Sequence, residues 1–190
     1  YKPQPSIRVY IPKSNGKLRP LGIACYEDKM VQLALKKILE AIYEPRFLNC
    51  MYGFIPNRGC HDAIKELYKR LNNTKICYIV DADIKGFFDH MKHEWIIKFL
   101  NLYIKDPNII GLVKKYLKVG VLDGGELMMN EEGSAQGNII SPILANIYMH
   151  NVLTLWYKFI ITKECKGDNF LIVYADDFVA GFQYKWEAEN

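Results

Sequence analysis

Phe170-Leu171-Ile172-Val173-Tyr174-Ala175-Asp176-Asp177-Phe178-Val179-Ala180-Gly181-Phe182 decides how this chain is read. Residues 170–173 and 178–182 are apolar runs of strand length, and Tyr-Ala-Asp-Asp sits between them as the turn of a hairpin. A type I′ or related turn, using Asp for its tolerance of unusual φ and ψ, is one reading of that tip. Chemistry gives a second. Two adjacent carboxylates flanked by apolar strands repel each other and are poorly solvated, and a cation removes that cost. Hard oxygen donors of this kind suit Mg²⁺.

A matching acidic strand end lies far upstream, in Ile79-Val80-Asp81-Ala82-Asp83-Ile84-Lys85-Gly86-Phe87-Phe88-Asp89. Strand side chains alternate, so Asp81 and Asp83 share one face while Val80 and Ala82 take the other. Paired beside the hairpin, Asp83 meets Asp176 and Asp177. Three carboxylates at one place can hold two ions roughly 3.5–4 Å apart, the separation that clamps attacking and leaving oxygens in phosphoryl transfer.

These motifs carry a resemblance. Tyr174-Ala-Asp-Asp-Phe-Val179, Asp83-Ile-Lys-Gly-Phe-Phe-Asp89 and Gln136-Gly-Asn-Ile-Ile-Ser-Pro142 resemble, in the same order, the core motifs of reverse transcriptases of the group II intron-encoded maturase type. The resemblance implies an α+β right-hand polymerase fold, with a palm made of an antiparallel sheet backed by helices. Fingers are expected at 1–76 and 107–135, and palm at 77–106 and 136–190. The opening at Tyr1 without a methionine is read as a fragment or trimmed chain, with thumb and later domains absent.

The same resemblance assigns roles. Asp83, Asp176 and Asp177 become the catalytic acids and, with the Ile84 carbonyl, the ligands of two Mg²⁺ ions that Mn²⁺ can replace. Lys13 and Arg19, on a basic hairpin predicted at 7–12 and 18–23, contact the incoming nucleotide. Phe88 is placed as an aromatic gate under its sugar, although Phe87 and Phe88 beside a strand also read as core. Gln136 is placed against the nucleotide. The family carries Pro before this Gln and a second Gly after it; Ala135 and Asn138 stand there, which loosens or reshapes the loop. Arg58 is a candidate contact to the template backbone, or else a brace of its own loop through backbone carbonyls. The implied partners are intron RNA, an RNA template with a DNA primer, and deoxynucleoside triphosphates. Two alternatives are a maturase that binds RNA without polymerase chemistry, and a bacterial reverse transcriptase of the retron or diversity-generating kind.

Composition agrees with a globular chain. Among 190 residues, half are hydrophobic, and 25 basic against 21 acidic side chains give a net charge of +4. That is enough apolar material for one or two small cores, with a mild bias toward a polyanionic partner. Five scattered cysteines without a CxxC pair point to reduced thiols and a cytoplasmic setting. No apolar run reaches the length that spans a membrane.

Periodicity supplies the remaining elements. Helices are expected over 28–43 with Asp28 as N-cap, over 61–71, over 90–104, from Pro107 to about 118, over 141–160 and from 186 onward. A hairpin is expected around Asp123-Gly124-Gly125. His90, His93 and Glu94 lack further metal-ligand partners and are read as exposed helix-start residues. Lys114, Lys115 and Lys118 are read as a solvated helix face.

Overall fold

The computed structural model describes residues 1–12, 16–129, 132–134 and 137–189. In chain order it forms β1 (Ser6–Pro12), β2 (Leu18–Ile23), α1 (Tyr26–Tyr43), α2 (Cys60–Asn73), β3 (Tyr78–Asp83), α3 (Phe87–His90), α4 (His93–Asn101), α5 (Pro107–Lys118), β4 (Val121–Asp123), β5 (Glu126–Met128), α6 (Ser141–Met149), β6 (Asn169–Tyr174) and β7 (Asp177–Phe182). After α6 the winding loosens to π-helical turns at His150–Thr154 and Tyr157–Ile161 and ends in Thr162–Glu164. The helix expected over 141–160 therefore runs four residues further. A last helical turn spans Lys185–Glu189.

The chain packs as two compact units, Tyr1–Tyr43 with Gly86–Tyr148, and Glu44–Lys85 with Met149–Asn190. These are units of packing, and the fingers and palm bounds expected from the sequence are a separate, functional division.

In the first unit, β1 pairs antiparallel with β2 and parallel with β4, giving the sheet order β2-β1-β4-β5. The β4–β5 hairpin turns on Gly124 and Gly125, both at positive φ, as an I′-like turn requires. Inward residues Leu35, Leu39 and Tyr43 of α1, Ile96 and Leu100 of α4, and Val113 and Leu117 of α5 are all buried. Tyr43 donates its hydroxyl to the Phe99 and Leu100 carbonyls at 3.0 and 3.1 Å, adding to the backbone amides that these carbonyls accept at the end of α4.

Helix α1 starts two residues earlier than its apolar pattern indicates, so Asp28 is not an N-cap. It lies in the first turn and is 1% exposed. Its carboxylate accepts from the Tyr1 hydroxyl at 2.6 Å, the Gln4 amide at 2.9 Å, the Cys25 thiol at 3.2 Å and the Tyr116 hydroxyl at 3.1 Å. Burial pushes this carboxyl up, but these donors outweigh it and its pKa is lowered. A buried charge is tolerable only when so fully hydrogen-bonded.

The helix expected over 90–104 is broken. α3 ends at His90, Met91 turns extended with ψ 115°, and α4 begins at His93. The break is long-range in origin. The Met91 and Phe88 carbonyls accept from the Gly133 and Ser134 amides, both at 2.7 Å, so this backbone is committed to a distant loop. His93 is also not simply exposed: its Nε2–H donates to the Gly133 carbonyl at 2.6 Å, while His90 meets Glu132 at 3.1 Å. Gly133 lies at φ 83°, and a Cβ there would come 2.5 Å from the Asp89 carbonyl oxygen.

In the second unit the sheet order is β3-β7-β6, antiparallel throughout. Alternation puts Phe170, Ile172 and Val179 on one face, where Ala63 and Leu67 of α2 pack with Tyr52 and Ile76. On the opposite face Tyr157 packs 6.3 Å from the Phe182 ring and donates its hydroxyl to the Phe170 carbonyl at 2.8 Å. Gly181 leaves the space that the Phe170 ring fills, since a Cβ would stand 2.3 Å from it. All five cysteines are free thiols, and no helix among the described residues is long and apolar enough to cross a membrane.

Candidate active site

The hairpin forms where the apolar runs indicate. Tyr174 pairs with Asp177, leaving Ala175 and Asp176 as a two-residue loop. The residue in the left-handed region is Ala175, at φ 59°, and not an aspartate as the turn reading expects. A β-carbon there costs about 1–3 kcal/mol and persists only where the surroundings impose it.

The imposing segment is the loop 48–58 of the same unit. Cys50 and Tyr52 flank a parallel bridge between Met51 and Val173: the Val173 amide donates to the Cys50 carbonyl at 2.8 Å, and the Tyr52 amide to the Val173 carbonyl at 2.9 Å. Gly53 then lies flat on the turn. A Cβ at Gly53 would stand 2.3 Å from the Ala175 nitrogen. Arg58 holds the loop from within, donating to the Leu48 and Met51 carbonyls at 2.8 and 3.0 Å. That is the bracing role that the sequence offered for this arginine. Phe54 and Asn57 also take positive φ, so the support is itself an unusual backbone. The sequence displays Gly53 inside a Tyr-Gly-Phe loop but gives no sign of what approaches it.

Register delivers the upstream acid. β3 and β7 pair so that Asp83 is opposite Asp177 and Asp81 is opposite Val179. The Ile84 amide continues the ladder by donating to the Asp176 carbonyl at 3.2 Å. The structure thus brings Asp83, Ile84, Asp176 and Asp177 together at one end of the sheet. Directly opposed residues have Cβ atoms about 4.5–5.5 Å apart, close enough for like charges to repel. The Asp177 carboxyl is pushed up, first by burial and then by Asp176, Asp83 and Asp81. Asp177 stays exposed, but it edges an apolar cavity of about 170 Å³ walled by Ile64 and Leu67 of α2 and by Ile172 and Val179.

Clustered hard oxygens of raised repulsion fit a divalent cation in kind. Among the described residues, no three His, Cys, Asp or Glu side chains are closed into a metal-holding group.

Of the other expected site residues that are described, Arg19 and Phe88 belong to the first unit and Arg58 to the second. Arg19 is exposed on β2, opposite Ile11. Phe87 is buried, its ring 5.9 Å from Tyr148, whereas Phe88 is half-buried. Lys13 and Gln136 lie outside the described residues. Both flanks of the Gln136 segment are fixed: Ser134 bonds Ser141 at 2.6 Å, and Gln32 accepts from the Ile139 amide at 2.9 Å. Asn138 stands on the C-terminal flank. It is buried and accepts from the Ser6 hydroxyl at 3.3 Å.

Comparison with known proteins identifies the family of the chain. The profile of the family "Reverse transcriptase (RNA-dependent DNA polymerase)" matches residues 11–190. Group II intron-encoded protein LtrA of Lactococcus lactis subsp. cremoris is 42% identical over 88% of this chain, which spans 27% of LtrA. YkfC of Escherichia coli (strain K12) is 39% identical over 79% of this chain and 40% of its own length. The chain therefore spans well under half the length of these relatives. In fold, it superposes on apo telomerase from Candida Tropicalis with a TM-score of 0.71 at 13% identity, covering 99% of this chain and 41% of that one. With its antiparallel acidic sheet and flanking helices, this is the fingers-and-palm fold of polymerases. The chain belongs to the reverse transcriptase (RNA-dependent DNA polymerase) family, and a group II intron-encoded protein is among the relatives it resembles.

Proposed function

We propose that this chain supplies the fingers, at 1–76 and 107–135, and the palm, at 77–106 and 136–190, of an RNA-directed DNA polymerase encoded by a group II intron. The observation that carries the reading is the ladder that sets Asp83 against Asp177 beside the Asp176 turn. Acids that repel at a sheet end are what a polymerase metal site needs and what a passive RNA-binding surface does not.

In this reading Asp83, Asp176 and Asp177, with the Ile84 carbonyl, hold two Mg²⁺ ions, or Mn²⁺ in their place. Bound there, the metals supply charge neutralisation at the triphosphate and a lowered pKa at the primer 3′-hydroxyl. The rigid ladder and the braced turn fix where the carboxylates stand before substrate arrives. Lys13 and Arg19 bind the triphosphate, a task for which the forked, flat guanidinium is suited. Phe88 lies under the sugar and Gln136 beside it. Arg58 engages Leu48, Met51 and Asn49 with part of its guanidinium, and in this reading the N–H groups left over meet the template backbone. The same protein binds its intron RNA and assists splicing and mobility, in the cytoplasm of its host.

The test is primer extension by the complete protein on an RNA template with deoxynucleoside triphosphates and Mg²⁺. Template-dependent DNA product supports the reading. RNA binding without any product would assign the chain to the RNA-binding maturases.

A further inference from the structure

Helix α5 buries Ile110, Val113, Tyr116 and Leu117 and turns Lys114, Lys115 and Lys118 outward. Lysines in a last helical turn suit the helix dipole, which accounts for Lys115 and Lys118 on their own. It does not account for Lys114 and Lys118 standing four residues apart, an arrangement that repels. Nor does it account for Lys2, which comes from the far end of the first unit's sequence.

Lys2 is brought there by a built structure. The buried Asp28 carboxylate holds the Tyr1 hydroxyl and the Gln4 amide, and the Lys115 ammonium donates to the Tyr1 carbonyl at 2.7 Å. The pinned segment and α5 become the walls of an open groove of about 560 Å³. Four lysines and no carboxylate line it among the described residues. Its floor is apolar, and Leu127 and Met129 remain 52% and 62% exposed there.

We propose that this groove grips a single strand of RNA, with lysines on the phosphates and the apolar floor against the bases. The inference rests on the reading of the protein as one that works on RNA. Duplex RNA hides its base faces, whereas an unpaired strand offers both a charged backbone and apolar faces, which is the pairing of surfaces found here. None of the groove residues belongs to the unit that carries the acids.

The experiment uses the complete protein and the triple substitution Lys2→Gln, Lys114→Gln and Lys118→Gln. Lys115 is left intact because it fastens the wall. Binding of an unstructured oligoribonucleotide is followed by fluorescence anisotropy across a salt series. Each phosphate contact on a single strand contributes about 0.7 to the slope of log K against log salt, so the slope should fall by about 2 and affinity at 0.1 M salt on the order of a hundredfold. Lys→Arg at the same positions should restore both, and the melting temperature should not move. An RNA hairpin of equal length should bind with no dependence on these lysines. An unchanged slope for the Gln variant, while the wild type binds RNA and extends primers, overturns the groove and leaves the polymerase reading standing. Lysine-dependent binding to anionic phospholipid vesicles instead of RNA also overturns it. Failure of the wild type to bind RNA or extend any primer removes both.

Discussion

Asp83 stands directly across the antiparallel ladder from Asp177, and the Ile84 amide next to it donates to the Asp176 carbonyl. Two like charges are thereby fixed face to face by backbone hydrogen bonds that neither side chain can relax. In the absence of a cation this pairing works against the fold. Asp83→Asn should stabilise the metal-free protein by a few tenths of a kcal/mol, a small value because both carboxylates are largely exposed and screened. Denaturant melts of the two proteins in chelator would show the gain. A loss of stability would mean that Asp83 is held by something other than repulsion.

Gly53 should be as sensitive as the acids. An alanine there places its Cβ 2.3 Å from the backbone nitrogen of Ala175, so loop or turn must move. Gly53→Ala should destabilise by about 1–3 kcal/mol and depress DNA synthesis by displacing Asp176. Gly111→Ala is the control. Its Cβ would meet nothing within 4 Å, and inside α5 it should gain roughly 0.5–1 kcal/mol. Equal behaviour of the two variants in melting and activity would refute the bracing of the turn.

Asp28→Ala strands four donors in a buried place and should cost about 3 kcal/mol or more, lowering Tm by roughly 5–12 °C. The pH dependence has a definite sign. The folded pKa is lowered, so the stability Asp28 contributes is complete above the unfolded carboxylate value near 3.9 and is lost as pH falls through the folded value. Wild type should therefore show an acid-induced loss of stability that the Ala variant lacks. Parallel acid profiles would contradict the hydrogen-bond hub.

The two neighbouring phenylalanines should separate. Phe87 is buried against Tyr148, and Phe87→Ala should cost about 3–5 kcal/mol with sugar choice unaffected. Phe88 is half-buried, and Phe88→Ala should melt close to wild type. It should improve ribonucleotide use relative to deoxynucleotide by roughly 10- to 100-fold, the range available to one excluded hydroxyl. Incorporation of both nucleotide types, measured beside thermal stability, decides between gate and core.

Much of this site was legible in the sequence because strand period and acid position are local properties. An apolar run ending in Asp83 and another pair of runs bracketing Asp176-Asp177 are enough to predict strands with acids at their ends, and the ladder joins them. What escaped was set by partners distant in sequence. Asp28 looks like a cap because four-residue windows do not show Tyr1 and Tyr116 arriving at it. The helix over 90–104 breaks at Met91 because Gly133 takes its carbonyl. Lys114, Lys115 and Lys118 are exposed as the sequence indicates, but it does not show that the N-terminal segment comes to lie beside them. Ala175, not an aspartate, takes the left-handed conformation because loop 48–58 imposes it, and no propensity encodes that.

RNA-templated primer extension by the complete protein carrying Asp176→Asn, with RNA affinity measured on the same preparation, tests the central claim most directly. Loss of DNA product with RNA binding retained is the predicted result, since removing one acid from a basic protein does not weaken its hold on phosphate. DNA synthesis at the wild-type rate would contradict the assignment of these carboxylates to the chemistry.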